Sequence, residues 1–204
     1  MATYQPHDRY YRKARARGLV SRAAFKIEEI INRSKLVRRD ARIADLGCAP
    51  GGWLVILARA VGPTGRVVGV DLTRCAHPPP PAVTIVGDIT DAETVERAIV
   101  ALGGPADLVT SDLAPKLSGI TARDQAQSKR LLSAARTFAG RALKPGGAMV
   151  AKVFMGGDFK QIVADFERDF EQVEVTRTAA TRPGSSELYI VARGFKSKGN
   201  LTCG

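Results

Sequence analysis

One stretch limits the choice of folds for this chain more than any other: Asp45-Leu46-Gly47-Cys48-Ala49-Pro50-Gly51-Gly52-Trp53. Apolar Ile43 and Ala44 lead into it, and Asp45 falls where a buried strand would end. Three glycines and a proline then turn the chain sharply, and residues 53–58 open an apolar helix. A strand, a glycine turn and a helix start make a cradle for a nucleotide-like ligand. The glycines let the backbone approach the ligand, and the helix offers unpaired N–H groups. An ordinary tight βα turn is the bland alternative, and the density of glycine weighs against it.

The rest of the chain repeats this alternation. A first helix is expected from Ser21 as N-cap, with Ala23, Ala24, Phe25, Ile27, Ile30 and Ile31 at helical spacing. Strands are expected at 42–45, 66–71, 83–86, 106–112 and 148–154, separated by helices to Val61, over 91–102 and over 124–143. The second of these helices starts at Asp91, and Lys144-Pro145-Gly146-Gly147 is expected to close the third. A helix near 158–170, a strand near 172–179, a basic loop around Arg177 and Arg182, and a strand over 187–192 complete the pattern. Strands alternating with helices argue a doubly wound α/β sheet, and the last two strands, joined only by a loop, should form an antiparallel hairpin at one edge. The run from Cys75 to Pro81 contains four prolines and reads as a stiff extended connector, with His77 a surface residue. At 204 residues the chain reads as a single domain over 1–204, with residues 1–20 as an arm and 195–204 as a frayed tail.

Charge is unevenly placed. The chain carries a net +11, and residues 1–42 hold 12 Lys/Arg against four acids. With Tyr10, Tyr11 and Phe25 interleaved, that block suits a polyanion, most simply RNA, bound through Arg9, Arg12, Lys13, Arg15, Arg17 and Arg22. A solvated basic tail and a mitochondrial presequence compete; Asp8, Glu28 and Glu29 and the scarcity of serine weigh against the presequence. No apolar run reaches the roughly 20 residues that span a bilayer, so no membrane is expected. Cys48, Cys75 and Cys203 have neither CxxC spacing nor an even count, which suggests no zinc site and no disulfide framework and suits a reducing cytoplasm.

Acids close four strands in succession: Asp45, Asp71, Asp88 and Asp112. In an open α/β sheet the ligand lies beyond the carboxyl ends of the strands, and an acid ending the second strand is placed for a ribose diol. Four carboxylates there suit a ligand with a ribose, an exocyclic amine and positive charge, and S-adenosylmethionine has all three. A dinucleotide fits less well, since the turn lacks GxGxxG, and the absence of GKS or GKT excludes a P-loop. Lys152 interrupts the apolar run 148–154. Burial lowers a lysine pKa and makes a general base of it; a snorkelling edge lysine is the alternative. Lys26, alone, reads as a solvated helix lysine. If it joins Lys152, Asp112 and Glu187, two lysines and two acids form a mutually neutralising cluster.

These residues carry a resemblance to the FtsJ family of ribosomal-RNA 2′-O-ribose methyltransferases along nearly the whole chain. The matching motifs are Ser21-Arg22-Ala23-Ala24-Phe25-Lys26, the glycine turn from Asp45 to Trp53, Val70-Asp71-Leu72, Gly87-Asp88-Ile89, Ser111-Asp112-Leu113-Ala114-Pro115, Lys144-Pro145-Gly146-Gly147, Lys152-Val153-Phe154 and Ser185-Ser186-Glu187-Leu188-Tyr189. The resemblance implies a Rossmann-like, seven-stranded, mostly parallel sheet of the class I S-adenosylmethionine-dependent type. It implies Lys26, Asp112, Lys152 and Glu187 as a catalytic tetrad with Lys152 the base. The cofactor site it implies comprises Asp45, Gly47, Gly51, Gly52, Trp53, Asp71, Asp88, Ile89 and Asp112, with no metal. The implied substrate is large-subunit rRNA or the assembling large subunit, at a uridine of the loop that receives aminoacyl-tRNA, by a cytoplasmic protein, a monomer with no obligate protein partner. Cys48 stands where alanine is common in the family, and the proline run 78–81 is particular to this chain. The same chemistry on tRNA or an mRNA cap, or a non-catalytic assembly factor that binds rRNA, are the alternatives.

Overall fold

The computed structural model describes residue 16 and residues 21–116, 118–182 and 184–197. Arg9, Arg12, Lys13, Arg15 and Arg17, and the arm they belong to, lie outside the described residues, as does the tail beyond Ser197. The elements in chain order are α1 (Ala23–Ser34), β1 (Arg42–Leu46), α2 (Gly52–Val61), β2 (Arg66–Asp71), β3 (Ala82–Val86), α3 (Ala92–Leu102), β4 (Ala106–Ser111), α4 (Thr121–Ala142), β5 (Leu143–Phe154), α5 (Phe159–Asp169), β6 (Phe170–Thr176) and β7 (Glu187–Phe195). Among the described residues no helix is long and apolar enough to cross a membrane.

The seven strands form one sheet in the order β3-β2-β1-β4-β5-β7-β6. β1 pairs in parallel with both β2 and β4, so the strand order reverses between β1 and β4. That reversal opens a crevice at the carboxyl ends of these two strands, where such sheets bind ligands. β7 runs antiparallel to both β5 and β6, which gives the expected hairpin with β6 at the edge.

The pleat sends alternate residues to opposite faces. Val150, Tyr189 and Val191 pack with α1 and α2 on one face. Met149, Ala151, Val153, Leu188 and Ile190 pack with α3, α4 and α5 on the other. Lys152 therefore shares a face with Val150 and with its register partner Tyr189, and that is the face α1 covers.

Several boundaries differ from the sequence reading, each for a local reason. Arg22, not Ser21, is the N-cap of α1, and no side chain caps that end. The Ser21 hydroxyl instead packs on α2, 2.5 Å from where a Cβ on Gly52 would lie. Lys144-Pro145-Gly146-Gly147 does not close a helix: it belongs to β5, which pairs Leu143 with Ala106, slips register, and resumes at Ala148 opposite Leu108. α4 begins at Thr121, three residues early, because Asp124 binds the Ser118 backbone N–H and hydroxyl and so ties the preceding loop to the first turn. β6 starts and ends earlier than expected. β7 extends through Phe195, which pairs with Phe170 in register and is buried, so the tail starts beyond it. Asp91 caps α3 as its sequence suggests, accepting a hydrogen bond from the Thr94 N–H.

Candidate active site

The glycine turn lies against the chain leaving β4. Gly47 has φ +79°, and a Cβ there would meet the Leu113 backbone nitrogen at 3.0 Å, so only glycine fits both the conformation and the approach. Gly51 has φ +110° with nothing within 4 Å of a would-be Cβ, which leaves open space above the start of α2. The Trp53 ring is not in that space. It is buried, tilted on Tyr189 at 6.0 Å between centroids, and its Nε1 donates to the Ala23 carbonyl at 2.9 Å. Its indole therefore fastens α1 to α2, while its backbone N–H belongs to the first turn, where helices leave donors unpaired.

Acids surround the turn. Asp71 accepts the Ala49 N–H at 2.9 Å and the Thr73 N–H at 2.8 Å, which braces the glycine turn against the end of β2. Asp88, exposed, accepts from Thr90 N–H and hydroxyl. Ile89 is buried behind it, and Leu72, just after Asp71, is 71% exposed. Asp45 is fully buried. Its Oδ1 accepts from the Thr110 hydroxyl at 2.7 Å, and its Oδ2 has no partner among the described residues. Burial raises the Asp45 pKa to about 7, with Asp112 and Asp71 pushing it the same way. A buried acid with one orphaned oxygen, whose proton affinity two neighbouring carboxylates raise further, marks a site short of a cation or donor.

The Asp45 shift has a stability consequence. Its folded pKa lies above the unfolded value, so its contribution is full below about pH 4 and declines as pH rises to about 7, by roughly 4 kcal/mol. Asp45→Asn, neutral at every pH, is expected to unfold with a flatter pH dependence and to be more stable than the parent at pH 8. Urea unfolding at pH 5 and pH 8 checks this; identical pH slopes for the two proteins would contradict the buried ionisation.

Four segments meet beside the acids. Lys152, with a side chain 8% exposed, donates from Nζ to the Asp112 carbonyl at 2.7 Å and lies 3.1 Å from Asp112 Oδ1. Lys26, on α1, donates to Glu187 Oε1 at 2.6 Å. Tyr189 stands between the two pairs: its hydroxyl lies 3.2 Å from Glu187 Oε1 and 3.5 Å from Asp112 Oδ1, and Lys26 Nζ sits 5.9 Å from its ring centre. Burial and both carboxylates push the tyrosine pKa strongly up, so the phenol keeps its proton and acts as a donor. Burial also raises Asp112, opposed by Lys152 and Lys26. The sequence reading brought Lys26, Asp112, Lys152 and Glu187 to one place and missed Tyr189 and Thr110. Period two was the signal for the tyrosine, since Glu187 and Tyr189 share a strand face.

Arg22 does inward work: its guanidinium donates to the Ala180 carbonyl and ties the start of α1 to the β6–β7 loop. Cys48 and Cys75, 27 residues apart, bring their sulfurs to 3.7 Å, both free and buried beside the turn. Their spacing alone gave no hint of this.

A doubly wound sheet with an antiparallel seventh strand inserted between the fifth and sixth, and a glycine turn with acids at its switch point, defines a Rossmann-like protein of the methyltransferase type. The sequence model of a family described as FtsJ-like methyltransferase matches residues 19–195, and the chain belongs to that family. Among its relatives is the ribosomal RNA large subunit methyltransferase E of Anaeromyxobacter sp. (strain Fw109-5), 44% identical over 95% of this chain and 70% of the relative. The protein of the same description from Myxococcus xanthus is 45% identical over 92% of this chain and 89% of its own length. The fold is similar to that of a Plasmodium falciparum protein described as a ribosomal RNA methyltransferase, with TM-score 0.75 and 23% identity over 87% of this chain and 99% of that one.

Proposed function

We propose that this protein transfers a methyl group from S-adenosylmethionine to a ribose 2′-hydroxyl of large-subunit rRNA, free or in the assembling subunit. The observation that carries the reading is the Lys152–Asp112 and Lys26–Glu187 pair of ion pairs, bridged by Tyr189, beside the glycine turn. Such a cluster has no use in a binding protein, which argues against a non-catalytic assembly factor. The names of the relatives support rRNA over tRNA or an mRNA cap. Within rRNA, the family resemblance points to a uridine of the loop that receives aminoacyl-tRNA.

S-adenosylmethionine, when bound, supplies an electrophilic methyl on a positively charged sulfur. The open space over Gly51 and the Asp71 and Asp112 carboxylates beside buried Asp45 suit the positive sulfur, while the first-turn N–H groups of α2 suit the donor's carboxylate. Asp71 and Asp88 are the candidates for its hydroxyls, and Leu72 and Ile89, following them, offer apolar surface for its base.

A ribose hydroxyl is a poor nucleophile at neutral pH, so its proton must leave as the new bond forms. Lys152 rests in its ion pair with Asp112 and must first release a proton to solvent. The amine's two remaining hydrogens, on the Asp112 carbonyl and carboxylate, would then turn its lone pair away from Asp112, free to take the hydroxyl proton. Lys26, held by Glu187, would stabilise the negative charge growing on the oxygen. Tyr189 would fix the two carboxylates relative to each other. Holding hydroxyl and methyl in line contributes on the order of 7–11 kcal/mol in well-oriented systems.

In this reading the chain is one catalytic domain of a cytoplasmic enzyme acting as a monomer, with residues 1–20 an RNA-binding arm. Removing residues 1–17, which hold Arg9, Arg12, Lys13, Arg15 and Arg17, is expected to weaken RNA binding and flatten its salt dependence by about 0.7–0.9 of a log unit per lost phosphate contact. Donor binding should be unchanged. An unaltered slope across a salt series would return the arm to a solvated tail.

A further inference from the structure

α4 is 22 residues long, yet its buried residues, Ala135, Phe138, Ala139 and Ala142, all fall in its C-terminal half. The N-terminal turns do not serve the core. Together with the start of α5 they wall a cavity of about 430 Å³ that opens at the carboxyl end of β5. That volume is in the range of small-molecule pockets. Lys152, Ser111 and Leu113 line its inner end, so it begins at the reacting centre on the side away from Gly51 and Asp71.

Its chemistry is that of a site for an uncharged heterocycle. Leu132, Phe159 and Ile162 give apolar walls. Both acids at the mouth are engaged, Asp124 by Ser118 and Asp158 by Lys129 at 3.1 Å. Among the described residues the Gln125 side chain makes no hydrogen bond, and its Nε2 reaches to 3.6 Å from where a Cβ on Gly156 would be, across the mouth. A free carboxamide offers one donor face and one acceptor face, as the edge of a nucleobase requires. Lys116 and Lys160 stand exposed on the segments that wall the cavity, suited to the flanking phosphates.

We infer that this cavity receives the base of the acceptor nucleotide, extruded from its stack, while its ribose lies over Lys152. The inference rests on the proposed 2′-hydroxyl chemistry, because a base is tethered one ribose carbon from the hydroxyl that reacts. Single-stranded RNA loops are read in this way, by unstacked bases taken into side-chain pockets.

The test is a two-by-two comparison of single-turnover methyl transfer. It uses Gln125→Trp, which fills the mouth from an exposed helix position, and an RNA that lacks only the base of the nucleotide the parent enzyme methylates. Filling the cavity and removing the base are each expected to slow transfer roughly tenfold or more, the combination no more than either alone, and donor binding should be unaltered. Gln125→Ala should give a smaller loss in the same direction. Full activity of the parent enzyme on the abasic RNA, or independent multiplication of the two losses, would overturn the inference while leaving 2′-hydroxyl transfer intact. Failure of the parent enzyme to methylate the complete RNA at a ribose would overturn the functional reading, and the inference with it.

Discussion

Lys152→Ala is expected to lower the rate of methyl transfer by roughly 10²–10⁴-fold while leaving donor binding within about twofold. The amine is 8% exposed and hydrogen-bonded to the Asp112 carbonyl, so alanine removes the candidate proton acceptor together with the ion pair that balances Asp112. The second ion pair, Lys26 with Glu187, and the Tyr189 bridge to Glu187 do not depend on it. Lys152→Arg is the sharper companion. It keeps the positive charge beside Asp112 but cannot give up a proton at working pH, so it should be as inactive as alanine if the lysine is a base. Substantial activity in the arginine variant would make the residue an electrostatic clamp instead. Turnover on ribosomal subunits, with calorimetric titration of the methyl donor, separates these outcomes.

Trp53→Ala carries the other large effect. The ring is buried between α1 and the sheet, packs on Tyr189, and bonds to the Ala23 carbonyl three residues before Lys26. Loss of a buried tryptophan of this kind costs about 3–5 kcal/mol. Because its hydrogen bond holds the start of α1, the variant should also lose activity beyond what the remaining folded fraction explains. Trp53→Phe keeps most of the packing and drops the tether, which by itself is worth about 1 kcal/mol. Denaturant unfolding of both variants checks the ordering. A loss of less than about 1 kcal/mol in the alanine variant would mean that the ring is not the fastener described.

The sheet was legible because its strands are short apolar runs with acids at their ends. The bounds of β2 follow directly from Arg66 to Asp71, and the loop-only connection before Glu187 was enough to place a hairpin. Segments whose local chemistry is overridden by pairing were not legible. Pro145-Gly146-Gly147 reads as a turn, yet Leu143 pairs with Ala106 and draws the segment into a bulged strand. The last strand reads as 187–192 with a tail from 195, yet β7 runs on past Gly194 and Phe195 pairs with Phe170. In the site, Lys152 stood out because a charge in an apolar strand has few structural explanations. Tyr189 did not, because an aromatic residue in a central strand is ordinary core until its hydroxyl is seen between two carboxylates. The use of Trp53 as a fastener for α1 was also hidden, since its place in the glycine turn points first to the ligand.

The position of the transferred methyl group separates ribose methylation from every other reading of this site. The direct measurement incubates large ribosomal subunits from cells lacking this methylation with the enzyme and labelled S-adenosylmethionine, then digests the rRNA and maps the label by nuclease-resistant dinucleotides and mass. One nucleotide carrying the label on its ribose 2′-oxygen, with none from the Lys152→Ala enzyme, is the expected result. Label on a base would rule out transfer to the ribose, and labelling undiminished by loss of Lys152 would rule out the lysine as its base.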